Sequence, residues 1–173
     1  MSEPAGATLE QDYTDQAVED WRRERPDLDV DALEIVDRVM RLAIFLKDDL
    51  EKALRDHPIG VPGYTVLAAL RRSGDPWEMT PGELSSAVLL TTGAMTARLD
   101  RLESAGLVKR VRPATGDRRS IRIRLTKKGR RVIDEASAER MARAEWALSR
   151  LGARERAALT KGLRTLALEF ERR

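Results

Sequence analysis

Between Thr80 and Leu125 two short helical patterns with explicit start and stop signals run straight into a strictly alternating stretch, and few folds accept that order. Thr80-Pro81-Gly82-Glu83 combines a capping threonine, a proline at the first helical position and a glutamate three residues after the cap. It predicts a helix running through Leu84 to about Val88. A break near Leu90-Thr91 precedes a second helix, Thr92 to Ala105, which Gly106 closes as a left-handed cap. Leu107 to Arg112 and Ile121-Arg122-Ile123-Arg124-Leu125 flank a turn at Pro113-Ala114-Thr115-Gly116-Asp117. In the second run Ile121, Ile123 and Leu125 alternate inward and the arginines outward, which predicts a hairpin with a basic outer face. Two short helices joined by a tight turn, then a basic hairpin, make a winged helix-turn-helix.

The flanking segments read as helix. Thr8-Leu9-Glu10-Gln11 is a candidate capping box, and Leu9, Tyr13, Ala17 and Trp21 recur every fourth residue up to Arg25, with Pro26 as the stop. A long helix is expected from Val30 to His57, with Leu33, Val36, Met40, Ala43, Ile44, Leu50 and Leu54 as its buried stripe. Gly63 to Arg72 is a short apolar helix stopped by Ser73-Gly74-Asp75-Pro76, and Trp77-Glu78-Met79 reads as a very short strand. Thr126 caps a helix reaching about Ser149. A last helix, Ala153 to Glu171, carries Leu159, Leu163, Leu166 and Phe170 on one seam. The expected class is mainly α with a small β wing. Residues 1–7 are expected to be disordered and 8–29 to form a helical extension. The winged helix-turn-helix falls in 62–125, and 30–61 with 126–173 supply long dimerisation helices. The final seam has little mass in a 173-residue chain to cover it, so a homodimer is expected.

Charge separates along the chain. Met1 to Glu34 holds eleven acids against three bases, whereas Lys109 to Arg131 holds eleven bases and one acid, Asp117. A basic surface aimed at a polyanion follows. With no cysteine and one histidine, His57, the chain lacks the means for a disulfide framework, a thiolate metal site or a histidine-rich one. No phosphate-loop pattern or paired-carboxylate motif suggests an enzyme, and no cofactor or metal is expected. No apolar run nears the roughly 20 residues of a membrane span, which predicts a soluble, cytoplasmic chain without a membrane partner. His57, Trp77 and Trp146 read as structural.

On the second helix of the pair, spacing at about 100° per residue places Met95, Leu99 and Leu102 in the core. Gly93, Thr96, Ala97, Asp100, Arg101 and Ser104 fall on the opposite face. The small and hydroxylated residues at its start let the helix sink into a major groove of double-stranded DNA. Thr91, Thr92 and the unbonded N–H groups of the first turn can meet phosphate. Asp100 does not fit that role and is expected to pair with a neighbouring arginine. The hairpin tip, with Asp117, Arg118 and Arg119, projects guanidinium groups suited to a narrow minor groove, and Arg122 and Arg124 are expected to face phosphates. Two readings stay open: a sequence-specific regulator whose dimer reads a palindrome, and a non-specific architectural DNA binder.

From Gly63 onward, MTPGELSSAVLLTTGAMTARLDRLESAGLVKRV and GDRRSIRIRLTKKGRRV resemble the MarR family of multiple-antibiotic-resistance type regulators. The likeness lies in the helix-turn-helix, an Asp-x-Arg wing signature (Asp117, Arg119) and the Leu-Thr-x-x-Gly start of the next helix (Leu125, Thr126, Gly129). The resemblance implies that Arg119 enters the minor groove, and that the first long helix and the last two form the dimer interface. It implies a repressor released by a small anionic or aromatic ligand. The added N-terminal helix with its tryptophan is similar to the urate-responsive branch. In that branch a tryptophan, an aspartate and two arginines surround an anionic, purine-like ligand. Trp21, Arg98 and Arg110 stand at the matching positions, but Thr65 replaces the aspartate.

Overall fold

The computed structural model describes residues 11–112 and 121–172. The chain divides into two compact units, Met1–Asp49 and Leu50–Arg173. In the first, α1 spans Tyr13–Glu24, and α2, Leu33–Ala53, begins. The expected start of α1 at Thr8 is not what forms: residues 8–10 lie outside the described residues, and Gln11 and Asp12 are not helical. Asp12 caps instead, accepting from the Thr14 and Asp15 N–H groups at 2.7 and 3.0 Å, while the Asp15 carboxylate accepts from the Asp12 N–H at 2.8 Å. An Asp-x-x-Asp box thus performs the reciprocal capping foreseen for Thr8. Arg38 of α2 donates to Asp12 and Asp15 at 2.8 and 2.6 Å, which ties the cap to the next helix. That guanidinium holds the Asp12 carboxyl below its ordinary range.

The apolar stripes of this unit differ from expectation. Thr14 and Val18 are the buried residues of α1, whereas Tyr13 and Trp21 stay exposed. Of the stripe expected along this helix, Leu54 is buried and Leu50 partly buried in the core of the second unit, but the middle is exposed. Val36, Met40 and Ile44 are exposed, as are Ile35, Val39 and Phe45. The periodicity is helical, but among the described residues nothing covers this part of the face.

The second unit contains α3 (Val61–Arg72), β1 (Glu78–Met79), α4 (Pro81–Ala87), α5 (Thr92–Ser104), β2 (Val108–Val111), β3 (Arg122–Leu125), α6 (Lys127–Ala147) and α7 (Ala153–Glu171). α3 is apolar nearly all round and sits at the centre, with Tyr64 and Val66 to Leu70 buried. Leu84 of α4, Met95, Leu99 and Leu102 of α5, Ile123 and Leu125 of β3, and Val132, Ile133 and Ala136 of α6 close around it. Each large aliphatic side chain removed from water in this way stabilises the unit by about 1.5–3 kcal/mol. The three strands order β1-β3-β2, both pairings antiparallel, with Arg110 opposite Ile123 and Glu78 opposite Arg124. Ile123 and Leu125 point inward as expected, but Ile121 precedes the strand and is exposed. Trp77 packs against the core, with the Arg130 guanidinium 4.7 Å from its ring centroid. Trp146, expected as a packing residue, is 74% exposed on α6. His57 meets Glu139 of α6 at 3.2 Å.

The local punctuation forms as the residues dictate. Thr80 Oγ1 accepts from the Glu83 N–H at 3.2 Å and the Glu83 carboxylate accepts from the Thr80 N–H at 2.6 Å, which lowers the Glu83 pKa. At the end of α5, Gly106 takes φ +71°. Its N–H donates to the Glu103 carbonyl at 2.8 Å and that of Leu107 to the Leu102 carbonyl at 2.9 Å, a Schellman closure. The Leu107 carbonyl then accepts from the Thr126 N–H at 3.1 Å, and Thr126 Oγ1 accepts from the Gly129 N–H at 2.9 Å. α6 therefore starts against the backbone where α5 ends, and a Cβ at Gly129 would stand 1.9 Å from the Leu107 oxygen. α7 buries no residue, and Leu159, Leu163, Leu166 and Phe170 line its exposed apolar seam.

Because backbone cannot yield as a side-chain tip does, Gly129→Ala should cost about 3 kcal/mol, at the upper end of overpacking penalties. Thermal unfolding should show the midpoint falling by roughly 6–12 °C, at about 2–4 °C per kcal/mol for a chain of this size. An unchanged midpoint would mean that α6 does not seat against Leu107 in this way.

Candidate nucleic-acid interface

α5 is positioned from behind by Met95, Leu99 and Leu102, so its opposite face is presented outward. Gly93, Thr96, Ala97, Asp100, Arg101 and Ser104 are all exposed there. A Cβ on Gly93 would meet nothing within 4 Å, so packing does not demand the glycine. Thr91 is the N-cap residue by backbone geometry, yet its side chain makes no capping hydrogen bond. Thr92 opens the helix. The first turn has no acidic residue, and its N–H groups have no intrahelical acceptor.

Asp100 pairs with Arg110 of β2 at 2.6 Å, the neighbouring arginine that the sequence required. Arg110 also binds the Glu103 carboxylate through its side chain, and its N–H donates to Glu103 at 2.9 Å. Its pKa is raised chiefly by the hydrogen bond to Asp100. Two carboxylates on one helix thus hold this β2 guanidinium against the outer edge of α5.

On β3 the outcome is mixed. Arg124, expected to face phosphates, turns instead to Glu78 of β1, with its Nε and Nη2 at 2.7 and 2.6 Å from one oxygen. The cause is the register, which sets Glu78 directly opposite Arg124, and the low exposure of that carboxylate, 14%. A carboxylate so placed must be paired. Arg122 stands 3.9 Å from the other Glu78 oxygen and remains half-exposed. Asp117, Arg118 and Arg119 lie outside the described residues.

Along one flank of α5 lies a cavity of about 540 Å³ lined by Pro58, Ile59, Pro62, Ala97, Arg98, Arg101 and Leu102 among others. Of the four residues matched to the urate-responsive pattern, Arg98 lines it. Thr65, on α3, donates its hydroxyl to the Pro62 carbonyl at 3.0 Å and is not part of the lining. Arg110 is committed to Asp100 and Glu103. Trp21, in the first unit, is an exposed residue of α1 in a shallow groove with Tyr13, Gln16, Ala17, Asp20 and Glu24. Sequence reasoning missed two things here. One is Glu78 as the anchor of Arg124, for which only its place in the alternating Trp77-Glu78-Met79 run gave a signal. The other is the cavity wall from Pro58 to Gly63, visible beforehand only as a cluster of helix breakers. Among the described residues no group of acids and histidine has the makings of a metal site, and no helix is long and apolar enough to cross a membrane.

Residues 59–120 match the MarR family model. The HTH-type transcriptional regulator PecS of Dickeya dadantii is 37% identical over 122 residues, 68% of this chain and 73% of that protein. A MarR family protein from Bacillus stearothermophilus superimposes with a TM-score of 0.69 at 30% identity, over 83% of this chain and 99% of that one. AbsC, a MarR family transcriptional regulator from Streptomyces coelicolor, shares the fold with a TM-score of 0.75 at 21% identity, over 84% and 99% of the two chains. A helix-turn-helix with its small-residue face outward, the strand pair β2–β3 following it with β2 against α5, and these relatives lead to one assignment: the chain belongs to the MarR family of winged-helix, DNA-binding transcription regulators.

Proposed function

We propose that this regulator is a homodimeric repressor that reads a pseudo-palindromic site in double-stranded DNA and leaves it when a small anionic or aromatic ligand binds. The outward face of α5 carries this reading. Its exposed Gly93, Thr96 and Ala97 are small enough for the helix to lie deep in a major groove, with Arg101 reaching base edges farther along. Thr91, Thr92 and the N–H groups of the first turn receive a phosphate. Arg122 contacts the backbone, and the wing tip, Asp117 to Arg119, enters the minor groove with Asp117 steadying an arginine. Residues 62–125 form the reading head. Dimerisation falls to 30–61 and 126–173, supported by the exposed apolar faces of α2 and α7, each of which needs a cover. A two-fold axis then relates two reading heads, and the site is palindromic.

The cavity on the flank of α5 supports a ligand switch. Its walls are apolar except at Arg98 and Arg101, which suits a planar carboxylate or another anionic aromatic. Ala97 and Arg101 belong both to this lining and to the outward face of α5. A ligand that draws Arg101 inward therefore competes with DNA, and by linkage DNA weakens the ligand equally. Urate recognition after the branch pattern fits less well: Thr65 brings no carboxylate and Arg110 is already neutralised.

Nuclease protection on duplexes selected from random sequence tests the reading, with discrete two-fold footprints expected and uniform coating refuting specificity. On the selected site Arg119→Ala should lose at least ten-fold in affinity. Arg122→Ala should lower the slope of log affinity against log salt by about one per protomer on every sequence. Thr96 or Arg101 substitutions should change which sequences are preferred; equal losses on all sequences from all four changes would refute this division of labour. Leu163→Glu on the α7 seam should give a monomer in sedimentation and abolish site binding, and a dimeric variant would remove α7 from the interface. With benzoate as probe, release from DNA should require at least ten-fold more ligand for Arg98→Ala than for the unmodified protein. Equal requirements would take the cavity out of the switch.

A further inference from the structure

We infer that Leu89, in the turn between α4 and α5, is a sequence-determining residue that touches a thymine methyl group in each half-site. This rests on the DNA-reading role proposed for α5. The turn holds three consecutive apolar residues. Val88 and Leu90 are partly buried against the core, whereas Leu89 between them is 93% exposed, more than any other large apolar residue described. Its backbone adopts φ +53°. That left-handed conformation suits glycine, whereas a bulky side chain is strained in it. The turn is closed by the Leu89 N–H donating to the Ser86 carbonyl at 3.4 Å and the Leu90 N–H to that of Ser85 at 3.0 Å.

A single exposed leucine is ordinary on a protein surface. An exposed leucine held in a backbone conformation meant for glycine combines two costs that glycine would avoid, and stored strain of this kind collects where a side chain must be aimed. Leu89 is two residues before the N-cap Thr91, so their Cα atoms are at most about 7 Å apart. The residues around that N-terminus are small or hydroxylated: Ser86, Thr91 and Gly93, with open space at Gly93. On this part of the surface Leu89 is the large apolar group. A leucine has no hydrogen bond to give a phosphate or a base edge. Within a major groove the apolar feature it can bury is the C5 methyl of thymine. The turn thus reads thymine where α5 enters the groove, and Thr96 and Arg101 read the positions beyond it.

The test uses the full-length dimer and its selected site, with each thymine replaced in turn by deoxyuridine, which removes the methyl group alone. The unmodified protein should lose about four-fold in affinity, the worth of one buried methyl-sized group, at one thymine per half-site. Leu89→Gly and Leu89→Asn should bind that site more weakly and be indifferent to the same replacement. Leu89→Gly should also unfold at a higher temperature, since it relieves the left-handed strain. Indifference of the unmodified protein to every replacement overturns the inference, as does a variant that keeps the methyl dependence. A variant with unchanged DNA affinity but lost regulation would assign Leu89 to a protein partner and equally overturn it. Absence of any discrete site would instead defeat the reading of α5 itself, so the two failures are separable.

Discussion

Gly129 packs so tightly on the Leu107 carbonyl that a Cβ there would stand 1.9 Å from the oxygen, and this packing fixes the relation among three elements at once. Leu107 is the residue where the Schellman closure of α5 ends, immediately before β2, and Gly129 lies in the first turn of α6. One residue therefore closes the outward-facing helix through its N–H, receives the start of α6 on its carbonyl oxygen and leads into the first wing strand. Lys128 adds a donation to the Ala105 carbonyl at 2.9 Å. The Leu-Thr-x-x-Gly pattern of the family acquires a physical meaning here: the threonine caps, and the glycine is the side chain that must be missing. Any shift of α6 is consequently a shift of the end of α5.

Electrostatics around that junction is less one-sided than composition suggests. Arg110 and Arg124 belong to the basic run, yet carboxylates from α5 and β1 neutralise them. They brace the small sheet and the outer edge of α5, and so are not available to a polyanion as the composition alone would suggest. A guanidinium locked to two carboxylates offers little to a phosphate, because separating it would expose both acids to the same field.

Local signals were the most legible. The Thr80 box, the Gly106 cap and the Thr126 cap are each encoded within four residues, and each forms where the residues place it. The inward face of α5 was equally legible, because burial of Met95, Leu99 and Leu102 follows from helical spacing alone. What escaped depends on distant partners. Glu78 and Arg124 are 46 residues apart, and only strand register makes them neighbours. The start of α1 slipped from Thr8 to Asp12, where a second acid and Arg38 of another helix compete for the cap. The stripe on α2 was recognisable as apolar, but spacing cannot tell a face covered by its own chain from one covered by another. Leu89 gave no signal either, since its left-handed backbone results from closure of the whole turn.

α7 is a 19-residue helix that buries none of its own side chains. In proteins most of a helix's stability comes from packing of its apolar face and little from propensity, so an uncovered seam leaves this helix weakly held. On the dimeric reading, ordering this helix and finding a second copy become a single event, and the abundance of the regulator sets the share that is fully formed. A scarce regulator of this design would be partly open at its carboxyl-terminal end and exposed to proteases. Its cellular lifetime would then lengthen as its own concentration rises.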